Sequence, residues 1–463
     1  MSLVAESAWG LARGLAVASA ATLVGQGVCA VAAASSRRTG RILWCLHLVP
    51  CLTPMLLVGY AWSRFSLSLI RHPGWNQALY FLLVWVRLAP VAALIVRFAP
   101  SAMSPEAIHC HRLLGRGRAA LGFWLRGRGR AACVAFAVVF LLAFGEFELA
   151  SLLGIRTWTV VVFDAQVGGL ALGESLRITL LPALVEAVLL MAALWLVWAH
   201  GAGHGRPPAR RRSAPPALHA AVWAVVAGAL AITAVVPAFV VLRGTLRGLA
   251  LMAQTLTLGG DIAASVVFAA AAAACAWLCA GWFLGGGWRG RWLGAFAFCA
   301  PGLFGALVLA LGILWAFQLP GLRGLADTPA PLVVALTLLL FPFALLLRLL
   351  LAALCSGEGV HAAALLRRSA SARVARAARG TLWDLRGRGQ FWLLFFLFCW
   401  AYFDMTAASI LAPSRMTPVQ VRLYNFMHYG QTAVLSAMVC VTFLVPFVLL
   451  AGAGLTGRAV RRR

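Results

Sequence analysis

The chain has 463 residues, of which 63% are hydrophobic and 11% charged. Soluble globular domains carry about a quarter charged residues, so that class is excluded. The formal charge is +27, but the arginines sit in short clusters between apolar runs of roughly 20 residues, which is a membrane topology signal and not the basic face of a nucleic-acid-binding domain.

In chain order, segments apolar and long enough to cross a bilayer fall near 11–34, 41–63, 78–99, 131–153, 177–200, 218–242, 262–286, 291–316, 331–355, 391–412 and 430–453. The stretch 291–316 contains Gly and Pro that are able to break it. The expected fold is all-α, a polytopic integral membrane protein with about eleven transmembrane helices. MSLVAESAWGLA at the start has no basic n-region, so no cleavable signal peptide is expected.

Alternate loops carry 26 of the 39 arginines, from Arg37 and Arg38 through Arg112–Arg130, Arg206–Arg212 and Arg367–Arg388 to the tail at Arg458–Arg463. Cytoplasmic loops retain such residues and translocated loops lose them. The expected topology therefore places the N-terminus outside and the C-terminus in the cytoplasm.

The pentapeptide LRGRG occurs at Leu125–Gly129 and again at Leu385–Gly389, each copy in a long arginine-rich loop and six spans from the other. An even offset implies a parallel duplication. Glu106-x-x-His109 followed by Leu113-Leu114 matches Glu358-x-x-His361 followed by Leu365-Leu366. Pro90 and Arg97 echo Pro342 and Arg348, and each LRGRG leads into a span with acid in its outer half: Glu146 and Glu148, then Asp404. The expected organisation is a first half over 1–200, a basic Pro-rich linker and extra helix over 201–242, and a second half over 243–463.

All basic residues are arginine, with no lysine in the chain. A P-loop and lysine Schiff-base chemistry both need lysine, so neither resides here, and any nucleotide-driven step belongs to another subunit. Eleven cysteines form no C-x-x-C pair and mostly occupy apolar segments, where they read as small hydrophobes. The two E-x-x-H pairs have metal-ligand spacing on a helix but no further ligands nearby, and duplication accounts for their recurrence. No metal site, no cofactor bound by this chain and no enzyme active site are expected.

Ionisable groups within hydrocarbon are costly and seldom without purpose, which makes Glu146, Glu148, Glu186 and Asp404 candidates for a translocation pathway or gate. Structural pairing with Arg177, Arg156 or backbone near the interface is the alternative. Glu146 and Glu148, two apart on one helix, are expected to point to different faces. Trp124 and Trp158 read as interfacial anchors.

The order of acidic residue, short helix, arginine-rich turn and apolar span resembles the coupling loop of binding-protein-dependent ABC importer permeases. GEFELASLL (145–153) with TWTVVVFDAQVGG (157–169), and TPVQVRLYNFMHYGQ (417–431), resemble the fused two-half permeases of the iron(III) and thiamine importer type. The resemblance implies a bacterial inner-membrane permease moving a small solute such as iron(III) or thiamine inward by alternating access. It implies a cytoplasmic ATPase dimer supplying ATP and Mg, an extracytoplasmic solute-binding protein, and anionic lipids as neighbours. Loops 104–130 and 356–389 become the ATPase-coupling loops, with Glu106, Ala107, His109, Gly115, Arg126 and Arg128 in the first. Glu358, His361, Ala362, Ala363, Arg386 and Arg388 belong to the second. Trp158, Asp164, Tyr424, Asn425, His428 and Tyr429 become the face for the binding protein. Two rival readings are a proton-coupled secondary transporter and a degenerate permease acting as a membrane scaffold.

Overall fold

The computed structural model describes residues 3–63, 65, 71–98, 129–198, 214–252, 258–285, 291–354, 357–369, 371–428 and 432–462. The first coupling loop, with Glu106, Ala107, His109, Gly115, Arg126 and Arg128, lies outside them, as do most of the Pro-rich linker and Tyr429.

Every regular element among the described residues is helical. In the first half the order is α1 (Leu3–Ala34), α2 (Arg37–Leu52), α3 (Met55–Ser63), α4 (Pro73–Phe98), α5 (Arg130–Phe144), α6 (Glu148–Leu152), α7 (Trp158–Val167) and α8 (Leu172–Trp198). An extra helix follows as α9 (Pro216–Leu230), a π-turn at Ala231–Val235, and α10 (Val236–Met252). The second half runs α11 (Leu258–Gly285), α12 (Arg291–Leu303), α13 (Ala306–Phe317), α14 (Ala330–Leu354), α15 (Gly357–Leu366) and α16 (Ala372–Leu382). A π-turn at Trp383–Gly387 leads on to α17 (Arg388–Tyr402), α18 (Thr406–Leu411), α19 (Val419–His428) and α20 (Thr432–Arg462).

Eight of these helical stretches are long and apolar enough to cross a bilayer, which makes the chain a multi-pass membrane protein. Two further candidate spans are bent pairs, α2 with α3 at 71° and α12 with α13 at 108°. The first bends at Thr53–Pro54, where proline disfavours the helical conformation of the residue before it. The second bends at Phe304–Gly305, with Gly305 at φ +88°, a backbone conformation that favours glycine. The segment near 391–412 is divided as well, because α17 ends at Tyr402 and α18 begins only at Thr406.

The two halves pack alike. In the first, α1, α4 and α5 form a mutually contacting triangle, and in the second α11, α14 and α17 do the same. Between membrane helices water provides no apolar driving force, so close approach of small side chains carries the packing. On α11 the buried residues Ala264, Ala269, Ala272, Ala273, Ala276 and Ala280 supply that surface against α14 and α17. The short helices are placed alike too, α6 on α3 and α18 on α13. The halves differ at their last helix: α8 packs on α5, whereas α20 packs mainly on the extra helix at α10.

Helix α16, the π-turn and α17 are continuous from Ala372 to Tyr402, and the second LRGRG lies at the turn between arginine-rich and apolar parts. Gly387 leaves room for the Trp383 ring folded over it, and Gly389 lets Leu351 of α14 approach. Gly129, which ends the first copy, is π-helical too. The motif thus places a helix irregularity where a basic segment enters the apolar core.

Candidate functional site

Each half contains a short helix capped by an acidic side chain. Glu146 stands two residues before α6, and its carboxylate accepts the Leu149 N–H at 2.6 Å and the Ala150 N–H at 3.2 Å. Asp404 stands two residues before α18 and accepts the Ala407 N–H at 2.9 Å. Both acids satisfy amides that a helix start leaves without partners and complement its positive end. Glu146 has in addition the Tyr80 hydroxyl, which donates to Oε2 at 2.9 Å.

The break between α5 and α6 means that Glu146 and Glu148 do not share one helix as expected. Their carboxylates do have different surroundings, Glu146 on Tyr80 and the α6 amides and Glu148 at the cavity described below. Glu146 belongs to the intervening turn and Glu148 to the first turn of α6, and both act electrostatically on one cation, Arg87 of α4. Asp404 acts on the same arginine from the second half. Glu146 and Asp404 thus pair with backbone, as one of the expected alternatives had it. The arginine that acts on all three acids is not Arg156 or Arg177 but Arg87. Sequence reasoning passed over it, although an arginine inside FLLVWVRLAPVAAL (81–94) is a readable signal.

Arg87, Glu148 and Asp404 line a cavity of about 50 Å³ together with Thr53, Pro54 and Phe403. The cavity lies where the halves meet. Among the described residues the only ion pair at contact distance is Arg422 of α19 with Asp261 of α11. Arg87 therefore faces the carboxylates across open space, and Oε1 of Glu148 is buried without a hydrogen-bond partner.

A second inter-half contact also joins two helix breaks. The α5–α6 break meets the α12–α13 break at Gly145 and Gly305, where a Cβ on Gly305 would lie 2.9 Å from the Gly145 carbonyl oxygen. At the corresponding places the other contact has Phe403 and Thr53–Pro54, and there the cavity remains. Beside the glycine contact sits Glu186 of α8, fully buried, with neither carboxylate oxygen hydrogen-bonded among the described residues.

The remaining predicted residues are dispersed. Trp158 is a correction: it is 1% exposed, packs on Phe144 and donates Nε1–H to the Phe144 carbonyl at 2.8 Å, so it belongs to the core and to neither an interfacial belt nor a docking face. The reason lies in its position at the start of α7, which turns back onto α1 and α5. Tyr424 is half-buried and shares a hydrogen bond with Ser151 of α6 at 3.1 Å, tying α19 to the first half. Asp164 and Asn425 are exposed, and Arg386 and Arg388 are exposed at the π-turn. Glu358, His361 and Ala362 are also exposed, on α15, whereas Ala363 is buried.

No group of three or more His, Cys, Asp or Glu residues able to hold a metal occurs among the described residues. The nine described cysteines are free thiols. The chain matches no family model, no curated protein and no solved structure.

Proposed function

We propose that this chain is the transmembrane permease of a binding-protein-dependent ABC importer, resembling the fused iron(III) and thiamine type, with the solute path along the seam between its halves. The observation that carries the reading is the meeting of two like-ordered halves at a seam where helices of both are broken and where Arg87, Glu148 and Asp404 face one cavity. Broken helices backed by protein or lining a cavity are the tolerated form of irregular backbone at membrane depth, and they occur where solutes cross.

In this reading the bilayer is a bacterial inner membrane crossed about eleven times, counting the bent segments, with the N-terminus outside and the C-terminus in the cytoplasm. An ATPase dimer docks on 104–130 and 356–389. Closure of the ATPases is transmitted through α15 and α16 to α17, whose far end carries Asp404. The chain itself performs no hydrolysis, and an extracytoplasmic protein delivers the solute.

The test is mild-detergent purification of the tagged chain from its native membrane, with mass spectrometry of what accompanies it. A P-loop ATPase that is recovered with the wild type and lost with Arg386→Ala/Arg388→Ala is the expected result. Absence of any such ATPase, under conditions that keep a known importer intact, sinks the proposal.

One observation favours a second reading. Glu186 is buried without a partner, as is Oε1 of Glu148, and carboxyls of that kind serve as proton carriers in secondary transporters. Transport that persists without ATP and disappears with Glu186→Gln would move the assignment there.

A further inference from the structure

Away from the seam, a second arginine occupies an apolar helix. Arg348 of α14 places its guanidinium 4.1 Å from the ring centroid of Trp277 on α11. Stacking on an indole face accounts for part of its stabilisation but leaves the N–H groups in the ring plane to be satisfied. The Arg348 Nε atom is buried with no hydrogen-bond partner among the described residues.

The guanidinium has a place kept for it. A Cβ at Gly281 of α11 would lie 2.7 Å from the Cζ and both terminal nitrogens of Arg348. Arg386, in the π-turn of the second LRGRG, is close enough to act on Arg348 electrostatically, and its charge is of the same sign. Neither arginine has a carboxylate at ion-pair distance among the described residues.

Two neighbouring guanidiniums without an acid are unfavourable alone and favourable around an anion. Phosphate is the anion whose oxygens match the fork of an arginine. The flanking side chains indicate its source. Leu278, Trp282 and Leu349 are all at least half exposed, as surfaces contacting acyl chains are. Arg386 lies at the junction of the basic segment with the apolar α17, and such junctions are where headgroups meet hydrocarbon. Basic pockets between membrane helices bind acidic headgroups in this way.

We propose that Arg348 and Arg386, with Trp277 as backing and Gly281 as clearance, form a site for the phosphate of an anionic phospholipid. This assignment does not rest on the importer reading and would stand if the ATPase were never found.

The test uses the full chain in neutral detergent, with phosphatidylglycerol, phosphatidylcholine or inorganic phosphate added. Native mass spectrometry reads retained lipid, and the unfolding midpoint reads stabilisation. Phosphatidylglycerol is expected to be retained and to raise the midpoint, while phosphatidylcholine does neither. Arg348→Gln/Arg386→Gln should weaken its binding about tenfold or more, the scale of lost charge-assisted contacts.

Two variants separate a built site from general positive charge. Gly281→Ala keeps every charge but puts a methyl where the guanidinium lies, and should weaken binding as well. Arg367→Gln/Arg368→Gln removes the same charge from the turn after α15 and should leave binding intact. Equal retention of both lipids, or equal loss with the Arg367/Arg368 pair, would overturn the proposal. Stabilisation by inorganic phosphate with no further effect of phosphatidylglycerol would overturn the lipid assignment in favour of the free anion.

Discussion

The two inter-half contacts are alike in plan, each the meeting of two helix breaks, and differ in how closely they pack. Where the α5–α6 break meets the α12–α13 break, Gly145 and Gly305 bring backbone against backbone. Where the α17–α18 break meets the α2–α3 break, Phe403 and Thr53–Pro54 leave a cavity with Arg87, Glu148 and Asp404 around it. The difference separates structural from functional polarity. Glu146 and Asp404 occur in both halves at one position and do one job, capping a short helix. Arg87 and Glu148 have no such counterparts. Counting from Pro90 and Pro342, the place of Arg87 is taken by Leu339, and the place of Glu148 before α18 is taken by Thr406. Polar groups present in only one half are gathered at the one open contact, which sets that side of the seam apart.

The largest effect is expected from removing the cation of that side. Arg87→Leu takes away the positive charge that acts on Glu146, Glu148 and Asp404. Because Arg87 is half-buried and out of ion-pair contact with them, the loss should stay below the roughly 3–5 kcal/mol of a broken buried pair. The unfolding midpoint in detergent should fall, and Arg87→Leu/Glu148→Gln should recover much of the loss because it removes one of the stranded carboxylates. No recovery in the double variant would show that Arg87 serves something other than this cluster.

At the closed contact, Gly305→Ala is the next largest. A Cβ there meets the Gly145 carbonyl in a backbone conformation that alanine avoids, with strain of about 1–3 kcal/mol. Phe403→Ala at the open contact enlarges a cavity without forcing backbone apart. If Phe403→Ala disturbed the spacing between halves as much as Gly305→Ala, measured by cross-linking of paired cysteines across each contact, the distinction between tight and open sides would be lost.

How much of this was legible in the chain follows from what each feature depends on. Apolar runs of bilayer length are local, and eight of the expected spans coincide with helical stretches of bilayer length, one of them broken between α5 and α6 and one carrying a π-turn. The Gly and Pro of 291–316 announced a break, and the bend came at Phe304–Gly305. Thr53–Pro54 carried the same kind of signal unremarked. The acids Glu146, Glu148, Glu186 and Asp404 stood out against hydrocarbon, but which of them share a cavity depends on how separated breaks meet in space, which no local pattern encodes. Trp158 misled because an aromatic after a span reads as an interfacial anchor, whereas α7 folds inward and buries it. Arg87 was hidden by its company: among so many arginines taken as topology markers, one inside an apolar helix was not set apart.

A smaller effect tests whether the paired caps are equivalent. Replacing a capping carboxylate by its amide should cost about 1 kcal/mol. Glu146→Gln should exceed Asp404→Asn, because the Tyr80 hydroxyl also rests on Glu146. Equal losses in unfolding midpoint would mean that the Tyr80 bond adds nothing, and a greater loss at Asp404 would place the second-half acid in a further role.

The smallest effect lies outside the membrane, in a loop contact of the second half. Asp327 accepts the Ser414 N–H at 2.8 Å and the Ser414 hydroxyl at 2.7 Å, joining the segment before α14 to the segment before α19. These two donors hold its carboxyl below the ordinary carboxylate range. A group with a depressed folded value contributes its stability above the unfolded value and loses it as pH falls through the folded one. The contact should therefore persist through neutral and mildly acidic pH and loosen only in stronger acid, below the ordinary aspartate value of about 3.9. Amide exchange at Ser414 reads this directly, and Asp327→Asn should give the faster exchange at neutral and mildly acidic pH, the difference closing in stronger acid. Because Asp327 is exposed and each partner is held by its own loop, the unfolding midpoint should hardly move. A large shift would mean that these loops, and not the seam, hold the two ends of the second half together.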